Sequence, residues 1–236
     1  MNQELYPTVI LAGGLATRLR PLTEKIPKSL IDINGEPFIA HQLRLLKNQN
    51  IKKVFILTGF LGDQIEEYVD NGEKFGLDIT FSYDGPQLLG TAGAIKKALH
   101  ILSDNFFVIY GDSYLPCNFL AIQQKFLLDK KLSLMSVYKN KNLYDKSNVV
   151  FKNNEITLYD KKNKTPDMQY IDYGLGLFNK QAFELVPQNT NYDLASLYQD
   201  LLSKQQLSAF EVQQRFYEVG STKGIKEFNN YVKDLA

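Results

Sequence analysis

Apolar runs alternate with amphipathic segments along the first half of the chain. In chain order the four segments are Val9–Leu11, Phe38–Leu46, Val54–Thr58 and Asp63–Val69. The first and third are continuous, as in buried strands, whereas the second places Ile39, Leu43 and Leu46 at positions i, i+4 and i+7 of one helical face. Strands that alternate with helices predict repeated β-α units, and therefore an α/β fold with a parallel sheet.

The run FFVIYGD, Phe106 to Asp112, predicts a central strand. It is continuously apolar and ends in a glycine and a carboxylate, as expected of a buried strand. Open α/β sheets bind ligands at the carboxyl ends of their strands, so we expect Asp112 in a ligand site. A helix that packs on the sheet is predicted before it, because apolar residues recur at helical spacing after Gly93. These residues are Ile95, Ala98, Leu99 and Leu102.

The second half of the chain is richer in strand patterns. From Ser133 onward the runs LSLMSVY, SNVVF, EITLYD and YIDYGLGLF are separated by polar turns. Helical patterns are predicted at Phe119–Leu128, Leu194–Leu202 and Gly224–Leu235. Because nothing marks a split between domains, we predict a single domain over residues 1–236, with a first half of about residues 1–130 and a strand-rich half of about residues 131–236.

Charge and cysteine content exclude several classes of protein. The 27 basic and 26 acidic residues nearly cancel, which argues against nucleic acid or an anionic membrane as a partner. The lone Cys117 cannot form an intramolecular disulfide, and the N-terminus lacks the features of a signal peptide. No segment approaches the ~20 apolar residues that cross a bilayer. We therefore expect a soluble, cytoplasmic protein.

The stretch LAGGLATRLRPLTEKIPKSL, Leu11 to Leu30, carries the clearest chemical pattern. Two glycines directly after a strand permit a tight turn whose N–H groups can face a phosphate. The spacing fits neither the P-loop nor the dinucleotide fingerprint. Pro21 and Pro27 restrict the backbone around Arg18 and Lys28, which would hold both cations ready for an anionic ligand. The alternative is a plain glycine turn with two surface charges.

This stretch resembles the signature of the sugar-1-phosphate nucleotidyltransferases, LAGG-x-GTRL-x-PLT-x-x-x-PK. The matching residues are Leu11, Ala12, Gly13, Gly14, Thr17, Arg18, Leu19, Pro21, Leu22, Thr23, Pro27 and Lys28. Ala16 stands where the family usually has glycine. Three further patches match in order: LLGTAGAI at Leu88–Ile95, YGDS around Asp112, and FYEVGST at Phe216–Thr222, in which Glu218 replaces the usual aspartate.

The resemblance covers most of the chain and implies a Rossmann-like fold of GT-A type. In such a fold a mostly parallel central sheet is flanked by helices, and a nucleotide-binding half precedes a strand-rich, sugar-binding half. The implied reaction joins an NTP to a sugar 1-phosphate and releases pyrophosphate. Arg18 and Lys28 would be catalytic, and Asp112 and Glu218 would bind Mg²⁺. The implied nucleotide-binding residues are Leu11, Ala12, Gly13, Gly14, Thr17, Asp84, Gly90 and Thr91.

The base and the sugar are predicted from single residues. Asp84 could accept hydrogen bonds from guanine N1–H and its exocyclic amine, a pair that uracil lacks, so GTP is favoured; Asp84 could equally be a turn residue. The glycines of GTAGA would admit the base, or would serve close packing at a helix start. The resemblance places sugar contacts in the second half, where Lys162 competes with Lys161 for one role. The sugar-binding residues are Asn148, Lys161, Asp172, Tyr173 and Gly174.

In size and motif the chain is similar to the heptose and mannose 1-phosphate guanylyltransferases, which act in surface polysaccharide synthesis. Family members are often dimers or tetramers, so a homo-oligomer is also an expectation. Two alternatives stay open. One is a uridylyl- or cytidylyltransferase for another phosphorylated small molecule. The other is a non-catalytic domain that binds a nucleotide sugar, in which loss of Arg18, Lys28 or Asp112 would be expected.

Overall fold

The computed structural model describes residues 4–14, 17–85, 89–188 and 190–235. Its strands are β1 (Thr8–Leu11), β2 (Asp32–Ile33), β3 (Glu36–Pro37), β4 (Lys53–Thr58), β5 (Asp78–Tyr83), β6 (Asn105–Tyr110), β7 (Ser113–Tyr114), β8 (Ser133–Tyr138), β9 (Val149–Lys152), β10 (Glu155–Tyr159), β11 (Ile171–Asn179), β12 (Leu207–Val212) and β13 (Tyr217–Glu218). Its α-helices are α1 (Phe38–Asn48), α2 (Gly62–Val69), α3 (Gly90–Ala98), α4 (Phe119–Asp129), α5 (Leu194–Ser203) and α6 (Thr222–Asp234).

Seven of these strands form one sheet in the order β12-β8-β11-β6-β1-β4-β5. The pairs β1–β4, β4–β5 and β8–β12 are parallel, and β8–β11 is antiparallel. The sheet is therefore mostly parallel, and helices lie between its strands in sequence, as the alternation of apolar and amphipathic segments requires. This confirms the predicted α/β class with a mostly parallel central sheet.

Contacts divide the chain into two compact units. The first comprises the described residues of Met1–Gln87, Ile109–Pro116 and Phe216–Ala236, and the second those of Leu88–Val108 and Cys117–Arg215. The prediction of a single domain, with halves that meet near residue 130, stays a prediction. The two units do not coincide with those halves, because each unit contains segments from both.

The first unit contains the predicted N-terminal elements. β1 and β4 run in parallel from Thr8 opposite Val54. The helical face predicted for α1 is fully buried at Ile39, Leu43 and Leu46, because apolar residues at this spacing share one side of a helix. Both strands and the helix confirm the prediction from the apolar pattern.

An apolar cluster of this unit lies around α6. Its buried members are Leu19, Ile31, Ile33, Phe38, Val219 and Phe228, and Tyr114, Tyr217 and Tyr231 pack against it. The tyrosines lie on or beside the two-stranded sheet β7–β13, in which Tyr217 is opposite Tyr114 and Glu218 is opposite Ser113. The cluster therefore fixes the segment that follows β6 beside the segment that precedes α6.

The second unit contains β8 to β12, α3, α4, α5 and most of β6. The strands predicted from the runs after Ser133 form, and β9 and β10 pair as an antiparallel hairpin. The pattern predicted helical positions as far as Leu102, but α3 ends at Ala98. Beyond it Leu99 N–H donates to Lys96 O and Ile101 N–H to Ala98 O. These shorter i to i−3 bonds tighten the chain and end the α-helix.

Within the described residues, no helix combines the length and the apolar character that crossing a membrane would require.

Candidate active site

The glycine loop after β1 packs against Asp84. Ala12 N–H continues the sheet by donating to Leu57 O at 2.8 Å. A Cβ atom on Gly13 would lie 3.0 Å from Asp84 Oδ2 and 3.2 Å from Gly59 N, whereas one on Gly14 would meet no atom of the described residues within 4 Å. Gly13 therefore permits the close approach of the carboxylate. The structure brings Asp84 to the predicted nucleotide loop.

The segment after the glycines is only partly described. Ala16, and Leu88 of the LLGTAGAI patch, lie outside the described residues, as does the side chain of Thr17. Arg18 is exposed on the short 3₁₀ helix Thr17–Leu19. Its guanidinium group is therefore accessible to an anion.

Lys28 contacts a carboxylate from a distant motif. Pro27 precedes the 3₁₀ turn Lys28–Leu30 in extended conformation, and its carbonyl accepts from Leu30 N–H at 2.8 Å. From this turn Lys28 Nζ donates to Asp112 Oδ2 at 2.8 Å. The two side chains are 21% and 26% exposed, so the ion pair is partly shielded and still open to a ligand. Two residues predicted from separate motifs thus meet.

The turn that carries Asp112 is held by its backbone. Gly111 N–H donates to Leu11 O at 2.9 Å, and Asp112 O accepts from Val219 N–H at 2.9 Å. A Cβ on Gly111 would lie 2.9 Å from Leu11 O and 3.1 Å from Ala12 Cα. Only glycine therefore lets the end of β6 approach the signature strand this closely. The predicted Gly-Asp turn is fixed against the glycine-loop strand.

Glu218 is bound within its own turn. Its Oε1 accepts from Ser221 Oγ at 2.6 Å and its Oε2 from Gly220 N–H at 2.5 Å. Ser221 is the N-cap of α6, and its Oγ accepts from Gly224 N–H at 2.9 Å. The last of these bonds satisfies an N–H group of the first helical turn that has no partner inside the helix. The start of α6 thereby orients the Glu218 carboxylate.

Three charged groups converge beside Gly220. A Cβ there would lie 2.9 Å from Glu218 Oε2, 3.1 Å from Asp112 Oδ2 and 3.6 Å from Lys28 Nζ. Asp112 and Glu218 were predicted as a metal-binding pair and Lys28 as the neighbouring cation. The structure brings all three together around one backbone position.

The two carboxylates suit Mg²⁺ by their chemistry. Among the described residues, no group of three or more His, Cys, Asp or Glu side chains could hold a metal ion. Mg²⁺ commonly takes one or two carboxylates and completes its six ligands with phosphate and water oxygens. Asp112 and Glu218 supply that kind of partial set, in a place where a phosphate would also meet Lys28.

The start of α3 is packed tightly against the segment 190–194. The helix begins at Gly90, so GTAGA forms its first turn. Cβ atoms on Gly90 and Gly93 would lie 2.7 Å from Tyr192 O and 2.9 Å from Thr190 O. Thr91 Oγ1 accepts from Leu194 N–H at 2.7 Å. These glycines therefore serve close packing, one of the two readings that the sequence left open, and their contact with a base stays a prediction.

Four of the five predicted sugar-binding residues form one network. The Asp172 side chain is 4% exposed, and its Oδ2 lies 3.5 Å from Lys161 Nζ. Tyr159 Oη donates to the same oxygen at 3.2 Å, and Gly174 N–H donates to Oδ1 at 3.0 Å. Asn148 Oδ1 accepts from Asp172 N–H at 2.8 Å. The buried carboxylate thus holds Lys161 and links β11 to the neighbouring segments.

The structure treats Tyr173 and Lys162, the other residues considered for sugar binding, differently. The Tyr173 ring is 2% exposed and belongs to the core, because neighbouring residues of a strand face opposite sides. Its sugar contact stays a prediction. Lys162 contributes its backbone N–H to Asp160, whereas Lys161 reaches Asp172. Hydrogen bonds from Asn163 lower the pKa of Asp160 below its ordinary value, as expected of a carboxylate in a polar turn.

Two residues of the site were missed by the sequence reasoning. Gln42 is 1% exposed and its Nε2 donates to Tyr110 O and Ser113 O, on either side of Asp112. The available signal was a polar residue on the apolar face of α1. Ser221 was the second, and its place three residues before Gly224 at a helix start was the signal for an N-cap.

Comparison with known proteins identifies a family for nearly the whole chain. The family model described as "Nucleotidyl transferase" matches residues 7–234. D-glycero-alpha-D-manno-heptose 1-phosphate guanylyltransferase of Campylobacter jejuni subsp. jejuni is 27% identical over 213 residues, which cover 90% of this chain and 93% of that protein.

Two further similarities differ in base or in length. UTP–glucose-1-phosphate uridylyltransferase of a Synechocystis species is 28% identical over 203 residues, which cover 79% of this chain; the match spans about half of that protein, 52%. The inositol-1-phosphate CTP transferase of T. maritima superposes with a TM-score of 0.82 over 99% of this chain and 98% of that one, at 19% identity. At that identity the superposition shows a shared fold.

Proposed function

Because the chain belongs to the nucleotidyl transferase family, we propose that it transfers a nucleoside monophosphate from an NTP to a sugar 1-phosphate and releases pyrophosphate. One observation carries the proposal: Lys28 Nζ, Asp112 Oδ2 and Glu218 Oε2 converge around Gly220. A cation beside two carboxylates that can share a divalent ion is what two reacting phosphate groups require.

The proposed step is an in-line displacement. An oxygen of the sugar phosphate bonds to the α-phosphorus of the NTP while the bond from that phosphorus to the oxygen bridging to the β-phosphate breaks. The bonding electrons leave with pyrophosphate. The protein has to bring two polyanions into line and stabilise the charge on the phosphoryl oxygens in the transition state.

Lys28 and Arg18 supply the positive charge in this proposal. Lys28 binds Asp112 at 2.8 Å and would exchange that carboxylate for the α-phosphate and the attacking phosphate when substrates bind. Arg18, exposed on its short helix, would neutralise the β- and γ-phosphates and then the departing pyrophosphate. Loss of one such preorganised contact typically lowers kcat about 10²- to 10³-fold.

Asp112 and Glu218 would hold Mg²⁺. When bound, the ion neutralises phosphate charge and fixes the substrate oxygens in place. Glu218 is oriented for this by Ser221 and Gly220, and Asp112 by the turn after β6. Both carboxylates keep lone pairs for an ion beyond these bonds.

We propose guanine as the base. Asp84 lies beside Gly13, with Oδ2 at 3.0 Å from the position of a Cβ, and a carboxylate can accept both N1–H and the exocyclic amine of guanine. The relative that matches over 93% of its own length is a guanylyltransferase, which supports the same choice. The sugar 1-phosphate would be of heptose or mannose type, for surface polysaccharide synthesis.

A second candidate is uridylyl transfer. It is favoured by the Synechocystis relative, which is as similar in sequence as the guanylyltransferase. The non-catalytic domain is disfavoured, because Arg18, Lys28 and Asp112 are all present.

The test is a matrix of pyrophosphate-release assays. The protein is incubated with Mg²⁺, each common NTP, and a panel of sugar 1-phosphates plus phosphocholine. We expect the fastest release with GTP and a heptose or mannose 1-phosphate. Release that is fastest with UTP supports the second candidate, and tight binding of a nucleotide sugar without any release supports the non-catalytic domain.

Asp84→Asn tests the choice of base in the same assay. The amide cannot accept both guanine donors, so the preference for GTP over UTP should fall about 10-fold. Asp63→Asn, which changes an acidic residue in the first turn of α2, is the matched control and should leave the preference unchanged. An unchanged preference in Asp84→Asn removes this residue from base recognition.

A further inference from the structure

A buried amide on α1 bonds to both sides of the turn that carries Asp112. Gln42 is 1% exposed, and its Nε2 donates to Tyr110 O at 2.9 Å and to Ser113 O at 2.8 Å. The first carbonyl ends β6 and the second begins β7, so Gly111 and Asp112 lie between the two bonds.

Only a side chain with two N–H donors on one nitrogen serves two carbonyls in this way. With the amide turned around, Oε1 would face two carbonyl oxygens, so the network assigns Nε2 to this side. The Oε1 atom is buried and has no hydrogen-bond partner among the described residues. An unpaired buried carbonyl destabilises a fold. An apolar residue would avoid that cost. The contribution of the amide is therefore its two hydrogen bonds to the turn.

The same helix also supports the other carboxylate. The Phe38 ring lies 5.2 Å from the Phe228 ring, and the His41 ring 5.7 Å from it, both in edge contact. Phe228 belongs to α6, whose N-cap Ser221 bonds to Glu218. One turn of α1 therefore packs against the helix that orients Glu218 and also bonds to the turn of Asp112.

We propose that Gln42 is a positioning residue: it fixes the Asp112 turn so that the Asp112 and Glu218 carboxylates face one divalent ion. This inference rests on the proposed function for the role of the two carboxylates. Gln42 acts through the backbone carbonyls on either side of the Gly111–Asp112 turn, and loss of a group that orients a metal ligand typically lowers metal affinity about 10- to 100-fold.

The test compares two buried glutamines. Gln42→Met keeps length and volume and removes both donors. Gln123→Met is the matched control, since Gln123 is also 1% exposed and lies on α4. Affinity for Mn²⁺ is measured by EPR in the presence of the NTP that gives the fastest pyrophosphate release and without sugar phosphate. Amide hydrogen exchange is measured at Gly111 and Val219, which bond to Leu11 O and Asp112 O, and the melting temperature is measured for each variant.

We expect Gln42→Met to weaken Mn²⁺ binding about 10- to 100-fold and to speed exchange at both amides. The control should show neither change, even if both variants lose melting temperature alike. Unchanged Mn²⁺ affinity and exchange in folded Gln42→Met overturn the proposal. If that variant does not fold, Gln42→Asn, which keeps the amide but shortens the reach, takes its place with the same expectations.

Failure of the proposed function can be distinguished from failure of the positioning role of Gln42. If the wild type binds no Mn²⁺ with the NTP that it turns over fastest, or if Asp112→Asn binds it as tightly as the wild type, the metal role of Asp112 is wrong and the positioning proposal is overturned with it. Exchange at Gly111 and Val219 would then still show whether Gln42 holds the turn, because that readout involves no metal.

Discussion

The carboxylates of Asp112 and Asp172 both pair with a lysine, but in opposite surroundings. The Asp112 side chain is 26% exposed, and Lys28 Nζ is 2.8 Å from it. The Asp172 side chain is 4% exposed and accepts from Tyr159 Oη and Gly174 N–H as well as facing Lys161. A partly exposed pair with few other partners can exchange them for ligands, whereas a buried and satisfied carboxylate holds its neighbours in place. The first pair is thus suited to chemistry and the second to positioning.

Loss of Lys28 is expected to have the largest effect. Lys28→Ala should lower kcat for pyrophosphate release about 10²- to 10³-fold, because a preorganised cation at the phosphates is removed. The melting temperature should change little, since the pair is partly exposed. Lys25→Ala, an exposed lysine of the same loop, is the control. A Lys28→Ala enzyme with near-normal turnover would contradict the catalytic role.

The same variant, which should lower turnover, is expected to raise the affinity for a divalent metal ion. Lys28 Nζ donates to Asp112 Oδ2 at 2.8 Å, so the lysine should compete with a divalent cation for that oxygen. Lys28→Ala should therefore bind Mn²⁺ more tightly than the wild type when no nucleotide is present, as measured by EPR. Weaker binding would mean that the lysine supports the metal site rather than competing for it.

Loss of the Asp172 charge is expected to act on stability. Asp172→Asn removes the charge that faces Lys161 and exchanges one acceptor oxygen for an NH₂ group, which would face either Lys161 Nζ or Gly174 N–H, two groups that can only donate. An unsatisfied buried group costs about 1–3 kcal/mol, so the free energy of unfolding should fall by about that amount in urea. Asp160→Asn, in the exposed turn nearby, is the control. If the two variants have equal free energies of unfolding, the structural role assigned to the Asp172 carboxylate is wrong.

A methyl group beside the Asp112 and Glu218 carboxylates should have an intermediate effect on activity. In Gly220→Ala the Cβ would lie 2.9 Å from Glu218 Oε2 and 3.1 Å from Asp112 Oδ2, so both carboxylates must shift. We expect the Mg²⁺ concentration for half-maximal activity to rise more than the melting temperature falls.

The smallest expected effect is that of ionisation of the Cys117 thiol on the stability of the protein. Burial raises the pKa of its thiol to about 12 from an ordinary value of 9.0. Below pH 9.0 the thiol is neutral in the folded and unfolded states, so its contribution to stability is fully present; it is lost as the pH rises from 9.0 toward 12, because only the unfolded thiol ionises. At neutral pH the folded protein should react with a thiol reagent far more slowly than in urea. Fast reaction when folded would show that the interior beside Tyr173 is open.

The sequence predicted the elements whose pattern is strong. The apolar runs of β1, β4 and β6 and the helical faces of α1 and α2 are unambiguous, since strand and helix periods differ. The strands β5 and β12 were not predicted: DITFSY alternates polar and apolar residues, a strand signal that was missed, and in LSAFEV the apolar run is interrupted by Ser208 and Glu211. Lateral pairing in the sheet stabilises such strands, and pairing between distant segments leaves no local pattern.

The site residues that belong to a sequence motif could be predicted. The residues that only support the site from another element could not. Arg18, Lys28, Asp112 and Glu218 stood in recognisable patches, and the last three do converge. Gln42 precedes Asp112 by 70 positions, and its role depends on the crossing of α1 and the turn after β6. The sequence likewise could not distinguish Lys161 from Lys162, because the choice depends on the buried carboxylate of Asp172 across the chain.

The central claim is that Asp112 and its neighbours use a divalent ion to join two phosphates. The most direct test measures pyrophosphate release against Mg²⁺ concentration for the wild type and for Asp112→Asn, with GTP and the best sugar 1-phosphate. We predict that release by the wild type rises with Mg²⁺ and stops with EDTA, and that the variant is slower by about 10² or more at every Mg²⁺ concentration. Release by the wild type that is indifferent to EDTA, or an Asp112→Asn enzyme at the wild-type rate, would contradict the account.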